Sequence, residues 1–516
     1  MNSYLTAARA QDIENPRERL VYRLFEMLPG FLAWSTLGAA VFGAWRFPVA
    51  TAFFILGFTV FWLLRVLYFA FHLRAGYQKM QEHEKINWLQ KLTELSPKNY
   101  SLPLSGWQDI YHLILVPTYK EPWEILRETL GALKNSTYPK KTMIVVLGIE
   151  EKEGNRAQQK AALLAEEFQK EFFRFVVTLH PIHIPGEIAG KGANETWAAK
   201  RAKEQVVDPL HIPHERIIVT SLDADTVVSP QYLSCLTYHY LTSKAPLRHS
   251  YQPVPLFINN VWQASGLSRI FAFSTTFWYL LNQERPETLS TFSSHSMSFR
   301  TLVEVGFKQT NFVSDDSRIF WQCFLRYDGE YAVQPLYYPV SMDANAAPTF
   351  WGTVKNIYLQ QRRWAYGVAD IPYFLFGFLK RKIPLRKKLS LGFDRIEAFW
   401  SWATASPLMF VLGWLPIVLG GTEFSQTLLS YNLPRYTSWI LTVTLLGLVW
   451  SVYLTLLFLP PRPPEYKKWK LFWFVVQWIF LPPIMIFFSL PAIDAQTRLM
   501  LGKYLGFWST PKFRKK

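Results

Sequence analysis

Two apolar runs, residues 24–45 and 49–72, lie near the start of the sequence with only Arg46-Phe47-Pro48 between them. Each approaches the ~20 residues a helix needs to cross a bilayer. Lipid offers no hydrogen bonds, so the backbone must satisfy its own, and a single run can do that only as a helix. The expectation is a transmembrane hairpin over residues 1–72 with both ends in the cytoplasm. Three more apolar blocks follow far downstream, at 399–420, 439–459 and 469–490. The last is interrupted by Pro482-Pro483, which predicts a broken or re-entrant segment and leaves the tail on the cytoplasmic side. A composition of 50% hydrophobic and 18% charged residues fits a chain only partly in lipid.

The net charge is +17. Nucleic acid could balance it, but the basic residues flank the apolar blocks instead, as cytoplasmic loops of membrane proteins require. Six fall in 380–388; Lys467, Lys468 and Lys470 follow, then Lys512, Arg514, Lys515 and Lys516. No soluble segment carries a basic stripe interleaved with aromatics, so no nucleic-acid partner is expected. Cys235 and Cys323 alone support neither a zinc site nor a disulfide framework.

Between the apolar ends, residues 73–106 read as a charged, mildly amphipathic linker along the membrane surface. From 107 to 349 strand-like runs alternate with helix-like ones: 112–116 then 123–134, 143–147 then 157–171, 173–179 then 194–204, 216–222 then 230–241. This alternation predicts an α/β domain with a largely parallel sheet covered on both faces. Residues 350–395 read as aromatic-rich interfacial helices, 396–492 as the C-terminal transmembrane region and 493–516 as a basic cytoplasmic tail.

Ligands of open α/β sheets sit beyond the carboxyl ends of the strands, and polar residues collect there. Val116-Pro117-Thr118-Tyr119-Lys120-Glu121-Pro122 is a turn after the first strand, with an aromatic able to stack on a base. Gly148-Ile149-Glu150-Glu151 follows the second strand. Gly190-Lys191-Gly192-Ala193-Asn194 opens a helix, where small residues and an amine suit an anion. Ser221-Leu222-Asp223-Ala224-Asp225 places two hard oxygen donors after a buried strand, suited to a divalent cation that also takes phosphate oxygens. Taken singly these are also ordinary polar turns. Ser293-Ser294-His295-Ser296 is a run of small polar residues that another molecule could approach. Ser314-Asp315-Asp316 opens a helix; it can be a plain cap or carry a general base within reach of a hydroxyl. Gln360, Arg363 and Trp364 stand at i, i+3 and i+4 on one helix face. They offer an amide, a planar bidentate cation for a diphosphate and an apolar ring for a sugar.

In this order the motifs resemble those of the membrane-embedded family-2 glycosyltransferases, the processive type that includes cellulose and hyaluronan synthases. The Gln-x-x-Arg-Trp box downstream of Asp-x-Asp and an acidic base motif carries the likeness. It implies a GT-A-like (Rossmann-like) nucleotide-sugar-binding domain inserted between transmembrane helices, at the cytoplasmic face of the cell membrane. By resemblance, Thr118, Tyr119, Glu121, Glu150, Lys191, Asp223 and Arg363 border the nucleotide. Asp223 and Asp225 hold Mg²⁺ or Mn²⁺, Asp316 is the base, and Gln360, Trp364 and His295 meet the acceptor. Phe507-Trp508-Ser509-Thr510-Pro511-Lys512 looks like the family's Phe-x-Val-Thr-x-Lys gating loop, with Ser for Val. Lys120 stands where Asn is usual, and Glu150-Glu151 where Asp-Asp is usual. Serines and His295 replace a glycine-rich acceptor finger. The function implied is inverting, metal-dependent transfer from a nucleotide sugar, a UDP-sugar by the resemblance, to a polysaccharide or oligosaccharide. The alternatives are a single transfer to a lipid acceptor, or a transporter or scaffold that binds a nucleotide. The last would be marked by ionisable residues inside the apolar blocks, and these hold almost none.

Overall fold

The computed structural model describes residues 3–514. Lys515 and Lys516 of the basic tail lie outside the described residues. The central element is an eight-stranded sheet in the order β3-β2-β1-β4-β7-β6-β8-β5. Its strands are β1 (Tyr111–Pro117), β2 (Met143–Glu150), β3 (Arg174–His180), β4 (Ile217–Ser221), β5 (Val227–Val228), β6 (His249–Leu256), β7 (Ser296–Ser298) and β8 (Ala332–Ser341). β1 to β4 are mutually parallel, β7 pairs antiparallel with β4 and β6, and β8 runs parallel to β6. The sheet is therefore mixed, with the expected parallel portion forming one half.

The near-continuous apolar strands have a physical cause. Leu113, Leu115, Ile144 and Val146 enter one core, while Ile114, Val116, Val145 and Leu147 enter another on the opposite face. A strand buried on both faces has no polar alternate. Helices Trp123–Lys134, Asn155–Phe168, Lys191–Ala202 and Tyr232–Thr242 connect the strands close to where the sequence pattern places them. Order reverses beside β1: the chain moves outward to β2 and β3, then returns to β4 on the other side. A crevice opens at such a reversal.

Helices Pro16–Arg46 and Pro48–Lys85 precede this domain, and Leu428–Leu457 follows it; all three are long and apolar enough to cross a membrane. The pair Lys468–Phe480 and Pro483–Met500 bends by 60°, at the expected Pro-Pro break. Two expectations differ in detail. The second N-terminal helix does not stop at 72 but continues to Lys85, because no breaker interrupts residues 73–85. The run 399–420 is not one helix: helix Leu385–Phe410 ends within it, just beyond Pro407, and short turns follow. Proline lacks the amide that would continue the ladder.

The helix carrying the acidic pair, Asp315–Arg326, is pinned from beneath by Arg318, which is fully buried. Its guanidinium donates to Asp370 Oδ1 at 2.7 Å, Gln309 Oε1 at 2.9 Å and the Ala369 carbonyl at 3.0 Å, and lies over the rings of Phe312 and Tyr373. Removing one partner of a buried ion pair strands the other charge and costs about 3–5 kcal/mol. Arg318→Met should therefore lower the thermal midpoint of the detergent-solubilised protein sharply. Adding Asp370→Leu should restore much of the loss, since no charge is then left unpaired.

Candidate active site

The carboxyl ends of β1, β2 and β4 form one wall of a cavity of about 320 Å³. The Phe350–Ala365 helix and the C-terminal tail close it. Thr118, Tyr119, Glu121, Glu150, Lys191, Asp223, Asp225, Asp316, Gln360, Arg363 and Trp364 all line it. Residues spread over nearly 250 positions of sequence are thus brought together.

Within the β1 turn, Thr118 Oγ1 donates to Glu121 Oε2 at 2.8 Å, and the Tyr119 amide donates to the same oxygen. Lys120 adopts a positive φ of 66°, which lets the turn reverse. Glu121 thus shapes the loop that presents Tyr119. Burial raises the pKa of its carboxyl, although the hydrogen bonds from Thr118 and Tyr119 oppose this. At the end of β2, Glu150 faces the cavity and Glu151 turns to the surface, where it accepts the Ile182 amide. Glu150 accepts from Asn194 Nδ2 at 2.9 Å, and its other oxygen meets His180 Nδ1 at 3.1 Å. His180 Nε2 meets Glu187 Oε2 at 3.1 Å.

Lys191 opens its helix, yet its amine reaches across to carboxylates. Nζ lies 2.6 Å from Asp223 Oδ1 and 3.0 Å from Asp316 Oδ2. The close approach depends on Gly192, whose added Cβ would stand 2.6 Å from that of Asp315. Asp223 also accepts from Ser293 Oγ at 2.6 Å. Asp316 is shared by two ammonium groups, Lys191 and Lys308, the latter at 3.0 Å. Burial alone would raise its pKa, but these cations hold it far below the usual carboxylate range. Asp315 beside it is pushed up to about 6 by burial and by the charge of Asp316.

Lys308 belongs to none of the sequence motifs described above. It is buried and lies among Glu195, Asp315 at 3.2 Å, Asp316 and Ser221 Oγ at 3.2 Å. A lone lysine in Val305-Gly306-Phe307-Lys308 is the only signal the sequence offers for it. His295 is placed differently from the expectation. It is buried behind Asp316, with Nδ1 3.0 Å from the Phe292 carbonyl and 3.7 Å from Asp316, and it does not line the cavity. Burial and neighbouring Lys308 lower its pKa to about 3, so it is neutral.

On the opposite wall, Gln360 accepts from Asn345 Nδ2 at 2.9 Å. Arg363 lies over the Phe507 ring at 5.0 Å, and its buried Nε has no partner. Trp364 packs 6.4 Å from Phe257. Phe257 and Tyr279 also line the cavity, and the Tyr279 ring stacks on Phe292 at 3.9 Å. The tail enters as well: Phe507, Ser509, Thr510 and Lys512 are lining residues.

Two places could take a divalent cation. Glu195, Asp315 and Asp316 offer oxygens within 4.8 Å of one another. Lys308 already supplies positive charge to all three, so a metal there would have to displace a buried ammonium. At Asp225, wholly buried, Oδ2 accepts the Asp343 amide at 3.0 Å and the ammonium of the less buried Lys512 at 2.5 Å, while Oδ1 has no partner. A buried carboxylate oxygen left unpaired is costly, and a hard cation is the ligand it suits. The Asp-x-Asp pair is therefore the better fit.

The His180 contacts generate a pH dependence. Both ring nitrogens face carboxylates, which raises its pKa above 6.5 despite burial. The folded state binds the proton more tightly than the unfolded chain. This stabilisation is complete below 6.5 and fades as pH rises through the higher folded value. The difference in thermal midpoint between the wild type and His180→Gln should shrink over that same interval.

No family model and no curated protein sequence matches the chain. Among solved structures, it is similar to the mannosyltransferase PcManGT from Pyrobaculum calidifontis in complex with GDP-Man and Mn²⁺, at 16% identity over 83% of this chain and 99% of that one, with a TM-score of 0.40. It is also similar to S. aureus TarS 1–349 in complex with UDP-GlcNAc, at 12% identity over 76% of this chain and 91% of that one, with a TM-score of 0.38.

Proposed function

We propose that the chain is an inverting, metal-dependent glycosyltransferase that moves a sugar from a nucleotide donor to a carbohydrate acceptor at the cytoplasmic face of the membrane. The observation that carries this reading is the meeting of Asp223, Asp316 and Trp364 in one cavity. Tyr119 and Glu150 border the nucleotide base, Asp223 and Asp225 face the diphosphate, and Trp364 with Gln360 offers a surface to the acceptor sugar.

Mg²⁺ or Mn²⁺, held by Asp223 and Asp225, would neutralise charge building on the leaving diphosphate. Arg363 suits the same task, since its Nε is buried and unpartnered. Asp316 receives the proton of the attacking hydroxyl, and a single displacement inverts the anomeric carbon. In the free enzyme Asp316 is ionised but a weak base, because Lys191 and Lys308 both hold it. A donor diphosphate competes for Lys191. When that amine turns to phosphate, Asp316 loses one of its two cations and its basicity rises toward the range useful for general base work. Donor binding and base activation are thereby linked through one side chain.

The acceptor can be a growing polysaccharide or a lipid. Among the described residues, three helices, or up to four if the bent pair is one span, are long and apolar enough to cross a membrane, which leaves little room for a polymer channel. That count is the observation that supports the second reading, a single transfer to a lipid acceptor.

Asp316→Asn should reduce transfer by about 10²–10⁴-fold, the usual contribution of a general base, with nucleotide affinity retained. Nucleotide release from a panel of nucleotide sugars with Mg²⁺ or Mn²⁺ measures the first, and calorimetry the second. Turnover at the wild-type rate would remove Asp316 from the role. Product mass separates polymer from single-sugar adduct.

A further inference from the structure

The C-terminal tail meets the Asp-x-Asp pair with two cations. Lys512 Nζ lies 2.5 Å from Asp225 Oδ2. Arg514 binds Asp343 through Nη2 at 2.7 Å and Nε at 3.0 Å, and reaches Glu128 through Nη1. Asp343 follows β8 and is buried; its amide donates to Asp225, and its carboxyl lines the cavity. Asn260 Nδ2 holds the Phe513 carbonyl at 3.3 Å between these two anchors. The Phe507 ring packs on Gly190, where an added Cβ would stand 2.5 Å from it. The tail is therefore seated in the half of the cavity that the diphosphate and its metal would use.

Charge explains the seating. Asp223 is balanced by Lys191, whereas Asp225 and Asp343 form a second, wholly internal acidic pair. Buried carboxylates need counter-charge to be stable in the interior. Lys512 and Arg514 bring two positive charges, the same charge as one divalent ion. The partnerless Oδ1 of Asp225 marks a coordination position that the lysine does not fill.

We propose that Asp343 is a ligand of the divalent cation together with Asp225, and that Lys512 and Arg514 occupy this site in the free enzyme as competing cations. Metal entry then exchanges two tail charges for one divalent ion and expels residues 507–514 from the donor half of the cavity. The tail acts as a threshold: metal alone binds weakly, and a metal–nucleotide complex, which brings phosphates to receive the freed lysine and arginine, binds well. This rests on the function proposed above only for the identity of the nucleotide; the cation exchange itself does not need it.

The test is a titration of the full-length protein in detergent with Mn²⁺ alone, following free Mn²⁺ by electron paramagnetic resonance. Lys512→Met removes the competing charge and should tighten Mn²⁺ binding by about tenfold or more, the range seen when groups around a metal site are altered. Arg514→Gln should shift affinity in the same direction. Lys512→Arg keeps the charge and should retain wild-type affinity. Adding Asp343→Asn to Lys512→Met should reverse the gain. Unchanged affinity in Lys512→Met and Arg514→Gln would overturn the competition, as would tightening by Lys512→Arg. A double variant that binds as well as Lys512→Met would remove Asp343 from the site. Nucleotide-sugar binding is read separately: the expected Mn²⁺ shifts together with no binding of any nucleotide sugar from a panel would refute the enzyme assignment and leave the cation site standing.

Discussion

The pairing of buried lysines with carboxylates at the carboxyl edge of the sheet is the constraint on which the site depends. Asp223, Asp225, Asp315, Asp316 and Asp343 line one crevice, with Glu195 buried beside it, and acids at such density repel one another unless countered. Lys191, Lys308 and Lys512 supply the counter-charge from three different parts of the chain. These lysines divide into two kinds. Lys308 is walled in by Glu195, Asp315 and Asp316, away from the cavity, and holds the acidic helix start in place. Lys191 and Lys512 line the cavity, where an incoming diphosphate or cation can take over their partners.

That difference connects stability to activity. A crevice of unpaired carboxylates would be strongly destabilising, yet a crevice of permanently paired ones would bind no metal. In the proposed mechanism movable ammonium groups resolve the conflict, because they stabilise the empty site and leave when a better-matched ligand arrives. The frame must stay rigid while they move. Arg318 provides part of that rigidity two residues after Asp316, by tying its helix to Asp370 and the Ala369 carbonyl. The apolar helices provide another part: Arg65 and Glu397 join helix Pro48–Lys85 to helix Leu385–Phe410 in a paired contact.

Much of this was legible in the residues. β1, β2 and β4 are apolar along most of their length because both faces are covered, so their ends, and the polar turns after them, could be located by length alone. Asp223 and Asp225 follow such an end, and Gln360, Arg363 and Trp364 share a face by helical period. The first two membrane-length helices and the Pro-Pro break were likewise visible. His295 was misplaced because a histidine among serines carries no sign of which side of a short strand it sits on; its ring packs behind Asp316. Helix Pro48–Lys85 ran past its expected end because charged residues mark where a span leaves lipid, not where a helix stops.

The sequence by itself determined which segments are buried, in lipid or in the domain, and which strand ends carry acids. These follow from local apolarity and period, which each stretch contains within itself. Only the tertiary structure decided which cation meets which carboxylate. Lys512 reaches Asp225 across 287 positions and Lys308 reaches Glu195 across 113. A charge pairs with whatever folding brings within a few ångströms, and no local pattern records that distance.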